Sequence, residues 1–156
     1  MNLRYIASLI LLAVAMYGLP PAKKTPQPSD NATPSDKMRL VMAPILRVVS
    51  QMSIVDRLWL REIYLNTAIV VESDAVTTDP ICVTTRGARA LHVAVLNFVW
   101  KGLAGNAPGK YPRLGDAIDH AFETTVGDTE RVLTPELRES LVELYRSIAW
   151  AGLGEG

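Results

Sequence analysis

A hydrophobic pattern typical of a buried helix lies in residues 88–103. One helical face is built from positions spaced three and four residues apart, namely Leu91, Ala94, Val95, Phe98 and Gly102. The opposite side is apolar as well, through Val93, Leu96, Val99 and Trp100. Since a helix that is apolar around its circumference is usually buried, the pattern predicts a central helix at about 86–103, around which the other helices pack.

Four further segments have the period of amphipathic helices. Two precede the central helix, with apolar positions at Met38, Val41, Met42, Ile45, Val49 and Met52, and then at Val55, Leu58, Trp59, Ile63 and Val70. Two follow it, with Leu114, Ala117, Ile118, Ala121 and Phe122, and then Leu137, Leu141, Leu144, Tyr145 and Ile148. In the second segment Glu62 and Asn66 share the apolar face, whereas Arg57, Arg61 and Glu72 are predicted to face solvent.

Local signals mark where these helices begin and end. Ser53 and Asp56 resemble a capping box, and Thr84 or Thr85 is suited to cap the central helix. Thr134, Pro135 and Glu136 form the clearest helix start, and Gly127 ends the helix before it. Inside the first segment, Pro44 predicts either a kink or two short helices.

These elements predict an all-α protein with one small orthogonal or bundle-like domain of about five helices in residues 36–153. Residues 73–85 are irregular, and their β-branched positions lack a partner strand. They fit either a short strand or a helical turn that begins at Pro80.

Residues 1–19 form an N-terminal apolar helix, either a signal peptide or a membrane anchor. Arg4 is followed by an uncharged apolar run, shorter than the ~20 residues of a spanning helix. Ala13 and Ala15 suit a cleavage site. The alternatives are an uncleaved anchor and a buried helix of the domain. Charges on both sides, at Arg4 and at Lys23 and Lys24, leave the membrane orientation open.

Residues 20–35 form a Pro-rich linker that is predicted to be disordered. This stretch holds half of the chain's ten prolines, at Pro20, Pro21, Pro26, Pro28 and Pro34. It has almost no apolar side chains to bury, so it cannot offset the entropy lost on ordering. An apolar leader, a spacer and a folded domain together predict an exported protein, periplasmic or extracellular, or one anchored to the membrane.

Charge excludes one class of partner. The 16 basic residues balance 16 acidic ones and are scattered, whereas a nucleic-acid binder concentrates Lys and Arg on one surface. The single cysteine, Cys82, cannot form an intramolecular disulfide.

A loop near the middle of the chain resembles a phosphate-binding loop in its spacing. In residues 104–111, Gly109 and Lys110 occupy the expected positions, but Ala104 replaces the first glycine and Tyr111 replaces the Ser or Thr that holds magnesium. The helix before it and Pro112 after it also differ from the phosphate-loop context. We interpret the segment as a turn between helices, and no cofactor is expected.

Asp116, His120 and Glu123 can share one face of a helix, as a metal or acid–base site would require. Because the apolar residues of that helix take the other face, we interpret the three as solvent-exposed ionic groups. His92 has no acid near it in sequence and is expected to be a core or boundary residue. Trp150 is a candidate for partner contact.

The predicted function is a non-enzymatic module that binds another protein, with membrane contact through residues 1–19 if they are not cleaved. Two alternatives remain. One is a cell-envelope, metal-dependent hydrolase that uses Asp116, His120 and Glu123. The other is a membrane-active protein associated with lysis.

Overall fold

A computed structural model describes residues 36–72, 84–103 and 110–153, and these form five helices. The helices are α1 (Asp36–Val49), α2 (Ile54–Glu72), α3 (Thr85–Gly102), α4 (Leu114–Val126) and α5 (Pro135–Trp150). Extended structure in these ranges is limited to one isolated antiparallel bridge between Thr84 and Val132. The prediction of a small all-α domain is therefore confirmed. Predictions for residues 1–35, for 73–83 with Cys82 and for 104–109 lie outside the described residues.

The antiparallel pair of α2 and α5 makes the most extensive contact between any two helices in the described residues. At its middle the rings of Tyr64 and Tyr145 lie 5.7 Å apart. At one end Arg57 Nη1 donates to the Gly152 carbonyl over 3.2 Å, and at the other end Arg138 Nη1 donates to the Val71 carbonyl over 3.1 Å. The start of each helix is thus fastened to the end of the other.

The prediction that residues 86–103 form the central helix needs a correction. Leu91 and Val95 of α3 are fully buried, as predicted, but Val93 on the opposite side is 43% exposed and Phe98 and Trp100 are only partly buried. The apolar pattern of α3 is wider than the face that it buries. Helix α3 therefore packs on the flank, and the central position belongs to the α2–α5 pair.

The buried face of α2 also differs from the prediction in its first two turns. Val55 and Leu58, which were expected in the core, are exposed, whereas Asp56 is buried. Further along, Ile63, Asn66 and Val70 are buried as predicted. The beginning of α2 is apolar on several sides, so sequence spacing alone does not select the face. The selection is made by a distant partner of Asp56, described below.

The predicted helix ends are largely confirmed. Thr84 accepts a hydrogen bond from the Gly87 amide, and Thr134 accepts one from the Leu137 amide. Gly127 closes α4 with φ of +81°, a conformation that glycine adopts without steric cost. Pro44 lies inside α1, which is one helix of 14 residues rather than two short ones.

Trp59 fixes the end of α3 against α2. Its indole Nε1 donates to the Val99 carbonyl over 3.0 Å, and its ring stacks on Phe98 with centroids 5.9 Å apart. A Cβ atom on Gly102 would lie 1.9 Å from Trp59 Cε2, so only glycine allows this approach. No helix within the described ranges combines the length and apolar character needed to cross a bilayer.

Candidate functional site

The three residues predicted as a possible metal site, Asp116, His120 and Glu123, are exposed on α4. Glu123 accepts two hydrogen bonds of 3.0 Å from the guanidinium of Arg89 on α3. These bonds favour the carboxylate and lower the pKa of Glu123 below its ordinary value. In residues 36–72, 84–103 and 110–153, no group of three His, Cys, Asp or Glu side chains is arranged to hold a metal ion. Glu123 therefore acts as a link between two helices.

His92 has an acidic partner that its own helix does not supply. Its Nε2 lies 2.6 Å from Oδ1 of Asp119 on α4, and its ring stacks on Phe122 with centroids 4.3 Å apart. The histidine is 2% exposed, whereas the Asp119 side chain is 55% exposed. Because a carboxylate only accepts, we assign the proton to Nε2. The Nδ1 atom is then the unprotonated one, and it is buried with no hydrogen-bond partner.

Burial lowers the pKa of His92, and the hydrogen bond to Asp119 opposes that effect only in part. Histidine paired with aspartate is the arrangement of a general base, but a base also needs a nucleophile at its second nitrogen. No Ser, Thr or Cys of the described chain bonds to Nδ1. The pair joins α3 to α4, next to the link between Arg89 and Glu123.

The end of the loop that resembles a phosphate-binding loop binds a carboxylate of the protein itself. Lys110 Nζ lies 3.3 Å from Asp56 Oδ2, and the hydrogen bond to Asp56 is the main cause that raises the pKa of Lys110. The buried Tyr111 hydroxyl donates to the same oxygen over 2.5 Å. Both contacts hold residues 110 and 111 against the start of α2. In a phosphate-binding loop the side chains at these positions would bind the ligand, whereas here they have a structural role.

The Tyr111 hydroxyl also completes the cap of α2. Ser53 Oγ accepts from the Asp56 amide over 3.2 Å, which is one half of the predicted capping box. The Ser53 amide donates to the Tyr111 hydroxyl over 3.4 Å. A tyrosine from 55 residues further along the chain thus stands between Ser53 and Asp56, and this contact explains why Asp56 is buried.

At the other side of α2, Arg57, Arg61 and Trp150 form a second polar feature, here called the arginine–tryptophan cluster. The guanidinium carbon of Arg61 lies 5.5 Å from the centroid of the Trp150 ring. Trp150, the predicted partner-contact residue, is 7% exposed. Three donors, Nε of each arginine and Nε1 of Trp150, are buried without an acceptor. Each buried donor without an acceptor costs about 1–3 kcal/mol, so the three together are unfavourable for the stability of the fold.

Apolar side chains adjoin this cluster on the outer surface of α2. Ile54, Val55 and Leu58 are 51%, 70% and 39% exposed, and we call these three residues the α2 patch. Ile54 and Leu58 are one turn apart and so neighbour each other, as do Arg57 and Arg61. Apolar residues scattered singly on a surface are ordinary, whereas large contiguous apolar patches are associated with interaction sites.

Sequence reasoning missed both features of α2. It placed Val55 and Leu58 in the core and both arginines in solvent. The only signal for the cluster was Trp150, whose position at the end of an amphipathic helix suggested a partner contact. Lys110 and Tyr111 were noted only because the loop resembles a phosphate-binding loop in its spacing, and their contacts with Asp56 were not predicted. Asp119 was not connected to His92, because 27 residues separate them.

Comparison with known proteins does not assign this chain to a family. No protein-family model, curated protein or solved structure matches this chain. A function for this chain is therefore inferred from the geometry of its described residues.

The Tyr111 hydroxyl is predicted to stabilise the fold, whereas that of Tyr64 is not. Tyr111→Phe removes the bonds to Asp56 and Ser53 and should lower the free energy of unfolding by about 1–3 kcal/mol. The matched control is Tyr64→Phe, because the Tyr64 hydroxyl is fully buried without a hydrogen bond. That change should be neutral or stabilising. Urea unfolding followed by circular dichroism measures both, and equal losses would contradict the assigned roles.

His92 is predicted to make the fold less stable in mild acid. Its pKa is lowered in the folded state, so the unfolded chain takes up a proton first as the pH falls below about 6.5. The free energy of unfolding should therefore decrease from pH 7 to pH 5, and this slope should flatten in His92→Gln. Arg89, Asp119 and Glu123 are the charged groups acting on the ring.

The measurement is urea unfolding at pH steps from 7 to 5. This range stays above the region where Glu123, whose pKa is lowered, loses its contribution to stability. His120→Gln, at an exposed position of α4, is the control and should keep the slope. A His92→Gln variant with the original slope would show that another group causes it.

Proposed function

We propose that this protein is a non-enzymatic interaction module that binds a segment of another protein on the α2 patch. The observation that carries the proposal is the exposure of Ile54, Val55 and Leu58 at adjoining positions of one helix. Burying such side chains against a partner removes apolar surface from water, the main favourable term in most protein association.

The surroundings of the patch favour a protein partner that carries acidic groups. Arg57 and Arg61 border it, and neither has an acidic partner among the described residues. A protein segment can present apolar side chains and a carboxylate within one or two turns, which complements both the patch and its basic edge.

Residues 1–35 supply the proposed location. In this proposal residues 1–19 export the chain or anchor it in a membrane, and residues 20–35 act as the spacer. A Pro-rich chain of 16 residues reaches about 50 Å at roughly 3 Å per residue. Such a tether would let the domain meet a partner away from the membrane surface.

The other two functions raised by the sequence gain no support from the described residues. Glu123, one of the three candidate metal ligands of a hydrolase site, already forms an ion pair with Arg89. The membrane-active alternative depends on residues 1–19, which lie outside the described ranges.

The proposal predicts that Val55 contacts the partner in cells. A photo-crosslinking amino acid at position 55, in cells that naturally make the chain, should join it to one discrete protein. The matched control is position 132, because Val132 is 64% exposed but lies in the loop before α5, away from the α2 patch. It should give no such product.

Purified partner then completes the test. Val55→Glu should weaken its binding on the order of tenfold or more, as expected for a central apolar contact, while Val132→Glu should leave it unchanged. Circular dichroism checks that both variants fold. Crosslinking of the same protein at both positions, or full binding by Val55→Glu, would contradict a docking site at the α2 patch.

A further inference from the structure

The arginine–tryptophan cluster brings three hydrogen-bond donors to the junction of α2 and α5. Arg57 and Arg61 are one helical turn apart, and both reach the end of α5. Arg57 contacts the Gly152 carbonyl, and Arg61 lies over the ring of Trp150. The convergence follows from the antiparallel pairing, which places the start of α2 beside the end of α5.

Three donor atoms of this cluster have no acceptor, although Nη1 of Arg57 does donate to the Gly152 carbonyl. Nε of Arg57, Nε of Arg61 and Nε1 of Trp150 are buried and unbonded, and the Trp150 side chain is more than nine-tenths buried. By contrast, Nε1 of the partly buried Trp59 has an acceptor in the Val99 carbonyl. Two guanidinium groups that have no acidic partner among the described residues, and an indole N–H without an acceptor, therefore lie at one junction.

We propose that the arginine–tryptophan cluster is a carboxylate-binding site, which takes an acidic side chain of the protein that docks on the α2 patch. This proposal rests on the function proposed above and names the chemistry of the partner. A planar carboxylate has two acceptor oxygens, and guanidinium groups bind it with paired N–H donors. Because Trp150 Nε1 is buried, this proposal requires the Arg61 side chain, whose guanidinium carbon lies 5.5 Å from the centroid of the Trp150 ring, to shift when the carboxylate binds.

The position of the site explains how one partner segment reaches both surfaces. On α2 the row of Arg57 and Arg61 lies beside the row of Ile54 and Leu58, at one-turn spacing in each row. A segment that covers the α2 patch with apolar side chains thus brings its neighbouring positions over the arginines. An acidic residue there is bound, and a basic residue is repelled, which gives selectivity among apolar segments.

The test follows the indole N–H signals of the full chain, labelled with ¹⁵N and kept in neutral detergent micelles, during titration with sodium acetate. Acetate should shift the Trp150 signal in a saturable way, because the N–H gains an acceptor. The Trp59 signal should stay in place, since that N–H already donates to Val99. Trp150→Phe assigns the signal, and sodium chloride at equal ionic strength and neutral acetamide are the reference titrations.

Two variants connect the shift to the cluster. Arg61→Gln should weaken acetate binding on the order of tenfold, since it removes one charge from the site. Arg113→Gln, at an exposed arginine before α4, should bind acetate as the unchanged chain does. If Arg61→Gln does not fold, the titrations of the unchanged protein still decide the matter.

Three results would overturn the proposal. One is a Trp150 signal that does not respond to acetate, and the second is a drift that chloride reproduces. The third is a saturable response to sodium phosphate alone, which would indicate a phosphate ligand, such as a lipid headgroup or the free ion. Failure here is distinct from failure of the proposed function, because crosslinking at position 55 does not depend on acetate. A crosslink without acetate binding would leave the α2 patch as a docking site and remove the carboxylate from it.

Discussion

The structure depends on the antiparallel contact between α2 and α5. Tyr64 and Tyr145 lie against each other at its middle, and an arginine from the start of each helix bonds to a carbonyl at the end of the other. The carbonyl end of a helix carries unsatisfied acceptors and partial negative charge, so both arginines meet a complementary group. The remaining helices add to this pair: α4 and α1 contact α5, and α3 lies against α2 and α4.

Among the described residues, some polar side chains have a hydrogen-bond partner and others do not. The links between Tyr111 and Asp56, between His92 and Asp119, and between Arg89 and Glu123 each pair a donor with an acceptor and join two parts of the chain. The arginine–tryptophan cluster differs, because its buried donors lack acceptors. The unpaired donors of this cluster lie next to the exposed apolar residues of α2, and this proximity supports the binding function proposed from the exposure of those residues.

Local features of the fold were predictable from the sequence, and long-range ones were not. Helix periods and the caps at Thr84 and Thr134 depend on neighbouring residues, and the structure confirms them. The burial of Asp56 depends on Tyr111, which lies 55 positions away in the sequence. The spacing of apolar residues at the start of α2 therefore predicted the wrong buried face. In the same way, the wide apolar pattern of α3 predicted that α3 is the central helix. The structure instead places the centre between α2 and α5, where Tyr64 contacts Tyr145. No local sequence pattern indicates that contact.

Amide hydrogen exchange measured residue by residue tests the central role of this pair most directly. The slowest exchange reports the part of a structure that opens only on global unfolding. We expect it in residues 63–70 of α2 and 141–148 of α5, with faster exchange in residues 91–99 of α3. Slowest exchange in α3, with α2 and α5 opening first, would contradict the account and restore α3 as the centre of the domain.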